Sequence, residues 1–153
     1  MKEGAVPDTK ESENRMNEIP MPPDAPLTVR DIEIRFGITL PPRFIAALGD
    51  TADPIHAKVL LLAPEGNECQ SIFATNARLR RAEWKEWPDF LVAFATYEFG
   101  DYFAFDVRQA PYRIYSIDPI YAAPEAMAKC EQEGYVFENF DAWYQNTLVP
   151  RMT

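Results

Sequence analysis

Three acidic residues, Glu98, Asp101 and Asp106, lie close together around a glycine in the middle of the chain. Paired carboxylates can act as general acid and base or can hold a cation. Aspartate also favours turns, and Asp101 directly follows Gly100, so turn formation explains these residues without any chemistry. We therefore treat the three side chains as candidates for binding a partner and not as a catalytic or metal site.

The residue types that most often perform catalysis are scarce in this chain. His56 is the only histidine, and its neighbours indicate a loop that enters a strand, so we expect a surface or structural role. Cys69 and Cys130 are far apart and form neither a metal-spaced pair nor a disulfide framework, and Cys69 has no basic neighbour to activate it. The glycine-rich loops GxGxxG and GxxxxGK followed by Ser or Thr are absent. These observations predict a protein that is not an enzyme, with no cofactor and no metal.

One basic cluster is followed by aromatic residues: Arg78, Arg80 and Arg81 precede Trp84 and Trp87. Such a mixture can bind RNA through charge and stacking, or it can form a protein interface, where arginine and tryptophan are common energetic anchors. A solvated basic turn with its tryptophans turned inward is a third interpretation. The formal net charge of −9 disfavours nucleic acid, whose phosphates would be repelled. We keep Trp84 and Trp87 as candidate apolar anchors for a protein partner.

Length and composition indicate one compact unit. The 153 residues, 47% of them hydrophobic, suffice for a single core. Residues 1–26 are rich in proline and poor in branched apolar side chains, so we predict a flexible N-terminal extension, with Met16 and Met21 as alternative starts, before a single domain at 27–153. No apolar run approaches the ~20 residues that span a bilayer, and the first residues lack the apolar stretch of a signal peptide. The sequence therefore predicts a cytoplasmic protein without a membrane partner.

The first part of the predicted domain carries clear helix signals. Thr28 and Asp31 have the spacing of a capping box, and Gly37 suits a left-handed C-cap, so we predict a short helix between them. Pro41 and Pro42 predict an extended step followed by the start of a second helix.

The remainder of the chain alternates in the way that strands do. We predict strands within 58–62, 90–95, 102–107 and 112–118, a short helix or irregular connector at 76–87, and helices at 124–132 and 137–148. Consecutive strands with short links predict an antiparallel meander. Helices on both sides of it along the chain predict an α+β fold, with N-terminal helices and a C-terminal helix flanking the sheet.

Four ordered blocks of this sequence resemble the SUKH superfamily, which contains bacterial toxin-immunity proteins and eukaryotic Smi/Knr-like regulators. The blocks are RFGITLPPRFIAAL at 35–48, FLVAFATYEFGDYFAFDV at 90–107, the alternating strand at 112–118, and FENFDAWYQNTL at 137–148. The segment from 49 to 87 departs from the family pattern. The order and spacing of the blocks carry the resemblance, because each one alone is common.

The resemblance implies a non-catalytic protein-binding domain. Bacterial members imply an immunity protein that binds a cognate toxin, often a nuclease or deaminase, and an acidic inhibitor would suit a basic toxin. Eukaryotic members imply the alternative of a regulatory scaffold or housekeeping interaction module, and a hydrolase or metal enzyme is a third class. The candidate partner-binding residues are Trp84, Trp87, Glu98, Asp101 and Asp106, and no residue pattern indicates the oligomeric state.

Overall fold

The structure, a computed structural model, describes residues 26–97 and 100–149. The extension predicted at 1–26 therefore lies outside the described residues, apart from Pro26. The described helices are α1 (Val29–Phe36), α2 (Pro42–Leu48), α3 (Ile72–Arg81), α4 (Ala123–Glu133) and α5 (Phe140–Leu148), with short 3₁₀ turns at Pro54–Ala57 and Glu83–Lys85. The strands are β1 (Leu60–Leu61), β2 (Leu91–Thr96), β3 (Tyr102–Asp106) and β4 (Arg113–Ile117).

The four strands form one antiparallel sheet in the order β1-β2-β3-β4, so each strand pairs with its neighbour along the chain. In the centre, Phe105 of β3 pairs with Val92 on one side and with Ile114 on the other. A bulge between Ala93 and Ala95 shifts the register of β2 against β3. The predicted α+β fold with an antiparallel meander is confirmed.

The first two helices begin and end where local chemistry predicts. The Thr28 hydroxyl accepts a hydrogen bond from the Asp31 amide at 3.3 Å, and the Asp31 carboxylate accepts one from the Thr28 amide at 2.6 Å. Gly37 ends α1 in the left-handed region, with φ 67° and ψ 41°. Pro42 opens α2 after the extended Pro41. The capping box and the proline step are confirmed.

Three elements begin two or more residues from their predicted starts, and in two of them a side chain caps the helix. The Ser71 hydroxyl accepts from the Ala74 amide at 3.2 Å and starts α3 at Ile72, earlier than the predicted 76. The Asn139 side chain accepts from the Ala142 amide at 2.8 Å, which delays α5 to Phe140. The 3₁₀ turn at Pro54–Ala57 occupies the approach to β1, which is two residues long where five were predicted.

Both faces of the sheet are packed against other parts of the chain. Neighbouring residues of a strand point to opposite faces, and on β3 Tyr102 packs edge-on against Trp87 at 6.2 Å while Phe103 packs against Trp143 of α5 at 5.2 Å. The α5 side of the sheet holds a cluster of rings whose centre is a stacked pair 4.2 Å apart. Its members are Phe44, Phe94, Phe105, Phe140 and Trp143. Burying each such side chain stabilises the fold by ~1.5–3 kcal/mol.

Candidate functional site

A buried lysine fastens the turn after α3 to the loop between β4 and α4. Lys85 is only 2% exposed, and its Nζ donates to the carbonyl oxygens of Asp118 and Pro119, each at 3.1 Å, and of Tyr121 at 2.8 Å. These bonds use all three donors of an ammonium group. Burial lowers the pKa of Lys85, while the negative charges of Asp118 and Asp101 oppose that shift. We refer to this arrangement as the Lys85 clamp.

The clamp places two exposed apolar side chains on one part of the surface. Trp84 is 60% exposed, and its ring centroid lies 5.0 Å from the Lys85 Nζ. Ile120 is 72% exposed and belongs to the clamped loop. Glu83 and Glu86 are exposed on either side of Trp84 in the sequence. We call these four exposed residues, two apolar and two acidic, the Trp84 patch.

A cleft of about 600 Å³ opens between α4, α5 and the sheet, at the end of the sheet where β2 passes to β3. Its apolar lining is largely aromatic: Tyr97, Phe103, Tyr121, Tyr135, Phe137 and Trp143. Its charged lining comprises Asp101, Asp118 and Glu133 together with Lys58 and Lys129. Clefts with an apolar lining and a few polar groups are the usual form of a binding site.

Two carboxylates of the cleft, Asp101 and Asp118, differ in their surroundings. Asp118 accepts a hydrogen bond from the Ile120 amide at 3.0 Å. Asp101 is half-buried, and its carboxylate has no hydrogen bond or ion pair with any described residue. Burial first, and then the charge of Asp118, raise the pKa of Asp101, although Lys85 acts in the opposite direction. Asp101 therefore contributes to the cleft a carboxylate that no described residue binds directly.

A second polar group of the cleft lacks a partner. The fully buried Trp143 forms part of the lining, and its indole Nε1 has no acceptor among the residues that the structure describes. Cys130, by contrast, donates its thiol to the carbonyl oxygen of Ser116 at 3.0 Å, and burial raises the pKa of that thiol. Trp143 and Asp101 are thus a donor and an acceptor that the described protein leaves unused.

The five residues predicted to bind a partner have separate locations. Trp84 lies in the Trp84 patch and Asp101 in the cleft. Trp87 is only 7% exposed and donates its Nε1 to the Leu91 carbonyl oxygen at 2.9 Å. Asp106 is 5% exposed and pairs with Arg108 at 2.7 Å. Glu98 lies outside the described residues, so the acidic trio is not seen as a unit, and the surface proposed below retains Trp84 and Asp101.

The arginine cluster is engaged within the protein. Arg80 donates to the carbonyl oxygens of Asp89 and Leu91 at 3.2 and 3.1 Å, and Arg78 donates to the Tyr102 hydroxyl at 3.4 Å. Arg81 is exposed. The cluster and its two tryptophans therefore do not form the continuous basic and aromatic surface that binding RNA would use.

Among the described residues, the histidine and the first cysteine are not part of a cluster that could perform catalysis. The Nε2 of His56 lies 2.9 Å from the Ala47 carbonyl oxygen and 3.1 Å from that of Asp50, at the C-terminal end of α2. Cys69 is exposed and free. Within residues 26–97 and 100–149, no group of three or more His, Cys, Asp or Glu side chains is placed to hold a metal ion.

Sequence reasoning missed Lys85, Asp118, Ile120 and Trp143. Asp118 and Pro119 end an alternating strand, which is a signal for a turn, but nothing local indicates that a lysine more than thirty residues earlier binds that turn. Trp143 lies within the helix predicted at 137–148, where an aromatic residue on an apolar face usually belongs to the core.

The α+β fold is the class to which the chain belongs on structural grounds. Comparison of the chain with protein-family models, curated proteins and solved structures finds no match. No helix of the described segments is long and apolar enough to cross a membrane.

Proposed function

We propose that the chain is a non-catalytic protein-binding domain whose partner is a cognate bacterial toxin, which it neutralises as an immunity protein. The observation that carries the binding part of this proposal is the Trp84 patch. Exposed tryptophan is the residue type most enriched among the energetic anchors of protein interfaces. The immunity part draws on the SUKH resemblance of the sequence.

The Trp84 patch is prepared for binding because it is already ordered. The Lys85 clamp holds the backbone on both sides of Ile120 through the carbonyl groups of Asp118, Pro119 and Tyr121, and Trp84 directly precedes Lys85. Covering Trp84 and Ile120 therefore costs this chain less conformational freedom than covering a mobile loop would.

The charge of the patch indicates the kind of partner. Glu83 and Glu86 belong to the patch, and the whole chain has a net charge of −9. Opposite charge accelerates association, and an enzyme that acts on nucleic acid needs a basic substrate groove. A nuclease or deaminase toxin is therefore the proposed partner class.

Coexpression with the toxin tests the proposal. The toxin is sought in the reading frame adjacent to this one in the source genome; an unrelated neighbour there favours the regulatory scaffold. We expect the wild-type chain to restore growth of cells that express the toxin and to co-purify with it. Growth rescue without a complex would exclude direct inhibition, and hydrolytic activity of the purified chain alone would overturn its non-catalytic assignment.

Substitutions in the Trp84 patch test the surface itself. We expect Trp84→Ala to weaken toxin binding by about 10- to 100-fold, the usual range for an aromatic anchor, and Ile120→Ala to weaken it by a smaller factor. Ile34→Ala is the matched control, because Ile34 is also an exposed isoleucine and lies on α1, outside the patch. Equal affinity of all four proteins in a calorimetric titration would remove the Trp84 patch from the interface.

A further inference from the structure

We infer that the cleft beside the Trp84 patch receives an arginine side chain of the protein partner, with its guanidinium group at Asp101 and Asp118. This inference deepens the proposed function and rests on it. Of the two aspartates, only Asp101 is a partner-binding candidate on the sequence alone.

The two carboxylates define the charge of the occupant. Asp101 is half-buried without a partner among the described residues, and one oxygen of Asp118 accepts the Ile120 amide while no hydrogen bond to the other is seen. A cation placed between them would compensate two like charges at once. The planar guanidinium group of arginine offers five donors and can bind carboxylates in pairs, which the compact ammonium of lysine cannot do.

The lysines at the cleft do not fill this role. Lys58 and Lys129 both border it, but neither forms an ion pair with Asp101 or Asp118 in the described structure. The Lys129 ammonium lies 5.2 Å from the ring centroid of Tyr121. Lys85 is close enough to influence both Asp101 and Asp118, but its three donors are bound to carbonyl oxygens, and one ammonium charge balances only one of the two carboxylates. A guanidinium group of a partner would balance the second and donate hydrogen bonds to both.

The remaining lining suits the rest of an arginine residue. Aromatic rings such as Tyr121 and Tyr135 can pack against the aliphatic stem and stack on a guanidinium plane. Trp143 forms part of the same lining, and its enclosed indole Nε1 has no acceptor among the described residues, so its N–H resonance is a probe of the cleft. An arginine side chain supplies the cation and the apolar stem together.

Continuity with the Trp84 patch explains why the arginine would belong to a protein. The clamped loop contributes Asp118 and Tyr121 to the cleft and Ile120 to the patch. A partner surface that covers Ile120 therefore contacts the loop that also lines the cleft, and an arginine at that point of the partner can enter the cleft.

A peptide titration tests the cleft without the toxin. The probe is the blocked tripeptide acetyl-Gly-Arg-Gly-amide, and its control has citrulline, the neutral isostere of arginine, in place of arginine. We expect the arginine peptide to shift the Trp143 indole resonance in ¹H–¹⁵N spectra, with a dissociation constant in the millimolar range. We expect at least fivefold weaker binding of the citrulline peptide, and of the arginine peptide to Asp101→Asn or Asp118→Asn. Asp118→Asn keeps the oxygen that accepts the Ile120 amide.

Glu68→Gln is the control variant, since it removes one negative charge from an exposed residue that does not line the cleft. Equal binding of the two peptides, no binding of either, or equal losses in Glu68→Gln and Asp101→Asn would each overturn the inference.

Toxin binding by the same variants separates this inference from the proposed function. Loss of affinity in both Trp84→Ala and Asp101→Asn supports both. Loss in Trp84→Ala alone, with Asp101→Asn and Asp118→Asn unchanged, overturns the arginine site and leaves the immunity function in place. Binding of the arginine peptide without any toxin complex supports the arginine site and overturns the immunity function.

Discussion

At the scale of single residues, the aspartates at the two ends of β3, Asp101 and Asp106, have opposite effects on the stability of the fold. Burial and the charge of Asp118 raise the pKa of Asp101, so its ionised form is less stable in the folded chain than in the unfolded one. Burial alone would also raise the pKa of Asp106, but hydrogen bonds from the side chain and backbone of Arg108 outweigh burial and lower it. A residue that reduces stability at neutral pH is what a binding site often retains.

Neutralising these aspartates should therefore change stability in opposite directions. At pH 7 we expect Asp101→Asn to raise the melting temperature and Asp106→Asn to lower it. Each change should stay within about 1 kcal/mol, or roughly 2–4 °C, because solvent screens charges near the surface.

The gain in stability from Asp101→Asn should vanish as the pH falls below the ordinary aspartate pKa of 3.8, where Asp101 is protonated in both the folded and the unfolded state. The loss from Asp106→Asn should shrink as the pH falls through the lowered pKa of Asp106. Calorimetry from pH 3 to pH 8 measures both, and a lower melting temperature of Asp101→Asn at pH 7 would contradict the interpretation of Asp101.

At the scale of elements, a side-chain amide replaces a missing stretch of strand. The short β1 pairs only with Ala95 and Thr96 of β2, which leaves Ala93 without a strand partner on that side. Asn76 of α3 donates its Nδ2 to the Ala93 carbonyl oxygen at 3.0 Å and accepts from the Ala93 amide at 2.8 Å. One buried residue thus attaches α3 to the central strand and satisfies the backbone beside the bulge.

Removing this amide should weaken the sheet locally. We expect Asn76→Ala to reduce the free energy of unfolding by about 2–3 kcal/mol, because it leaves a buried donor and a buried acceptor of Ala93 unpaired. Amide hydrogen exchange at Ala93 should accelerate more than at Phe105. Asn146→Ala, at an exposed position of α5, is the control and should change stability by less than about 0.5 kcal/mol. Unchanged protection of Ala93 would show that the Asn76 amide does not hold this strand.

At the scale of the whole molecule, net charge and the Trp84 patch act over different distances. The charge of −9 extends its influence beyond contact and attracts a basic partner during diffusion. The apolar pair acts only after contact, through burial. Charge should therefore govern the association rate, and the Trp84 ring should govern the dissociation rate.

Kinetics at several salt concentrations can separate the two contributions. We expect the association rate with the toxin to fall at least tenfold between about 0.05 M and 0.5 M salt, because the screening length shortens over that range. Glu83→Lys in the patch should slow association more than Glu68→Lys outside it, while Trp84→Ala should mainly accelerate dissociation. An association rate that is independent of salt would contradict electrostatic attraction.

Much of the fold could be predicted from short-range patterns. The Thr28 and Asp31 capping box, the left-handed Gly37 and the Pro41-Pro42 step depend on hydrogen bonds and backbone restrictions within a few residues, so the residues themselves determine them. The alternation of β3 and β4 depends on the two-residue repeat of a strand. The start of α3 was wrong because the Ser71 cap had not been recognised.

The candidate site depended on the tertiary structure. Trp84 and Trp87 are the same residue type three positions apart, yet one is exposed and the other is buried. Two features between the tryptophans separate them. The 3₁₀ turn is followed by Glu86 in a left-handed conformation, φ 50°, and the Lys85 clamp binds a loop more than thirty residues away. The sequence by itself therefore determined the caps of α1, the strands β2 to β4 and the acidic charge. Only the tertiary structure decided which tryptophan faces a partner and which two aspartates share a cleft, because contacts between distant segments are invisible to local patterns.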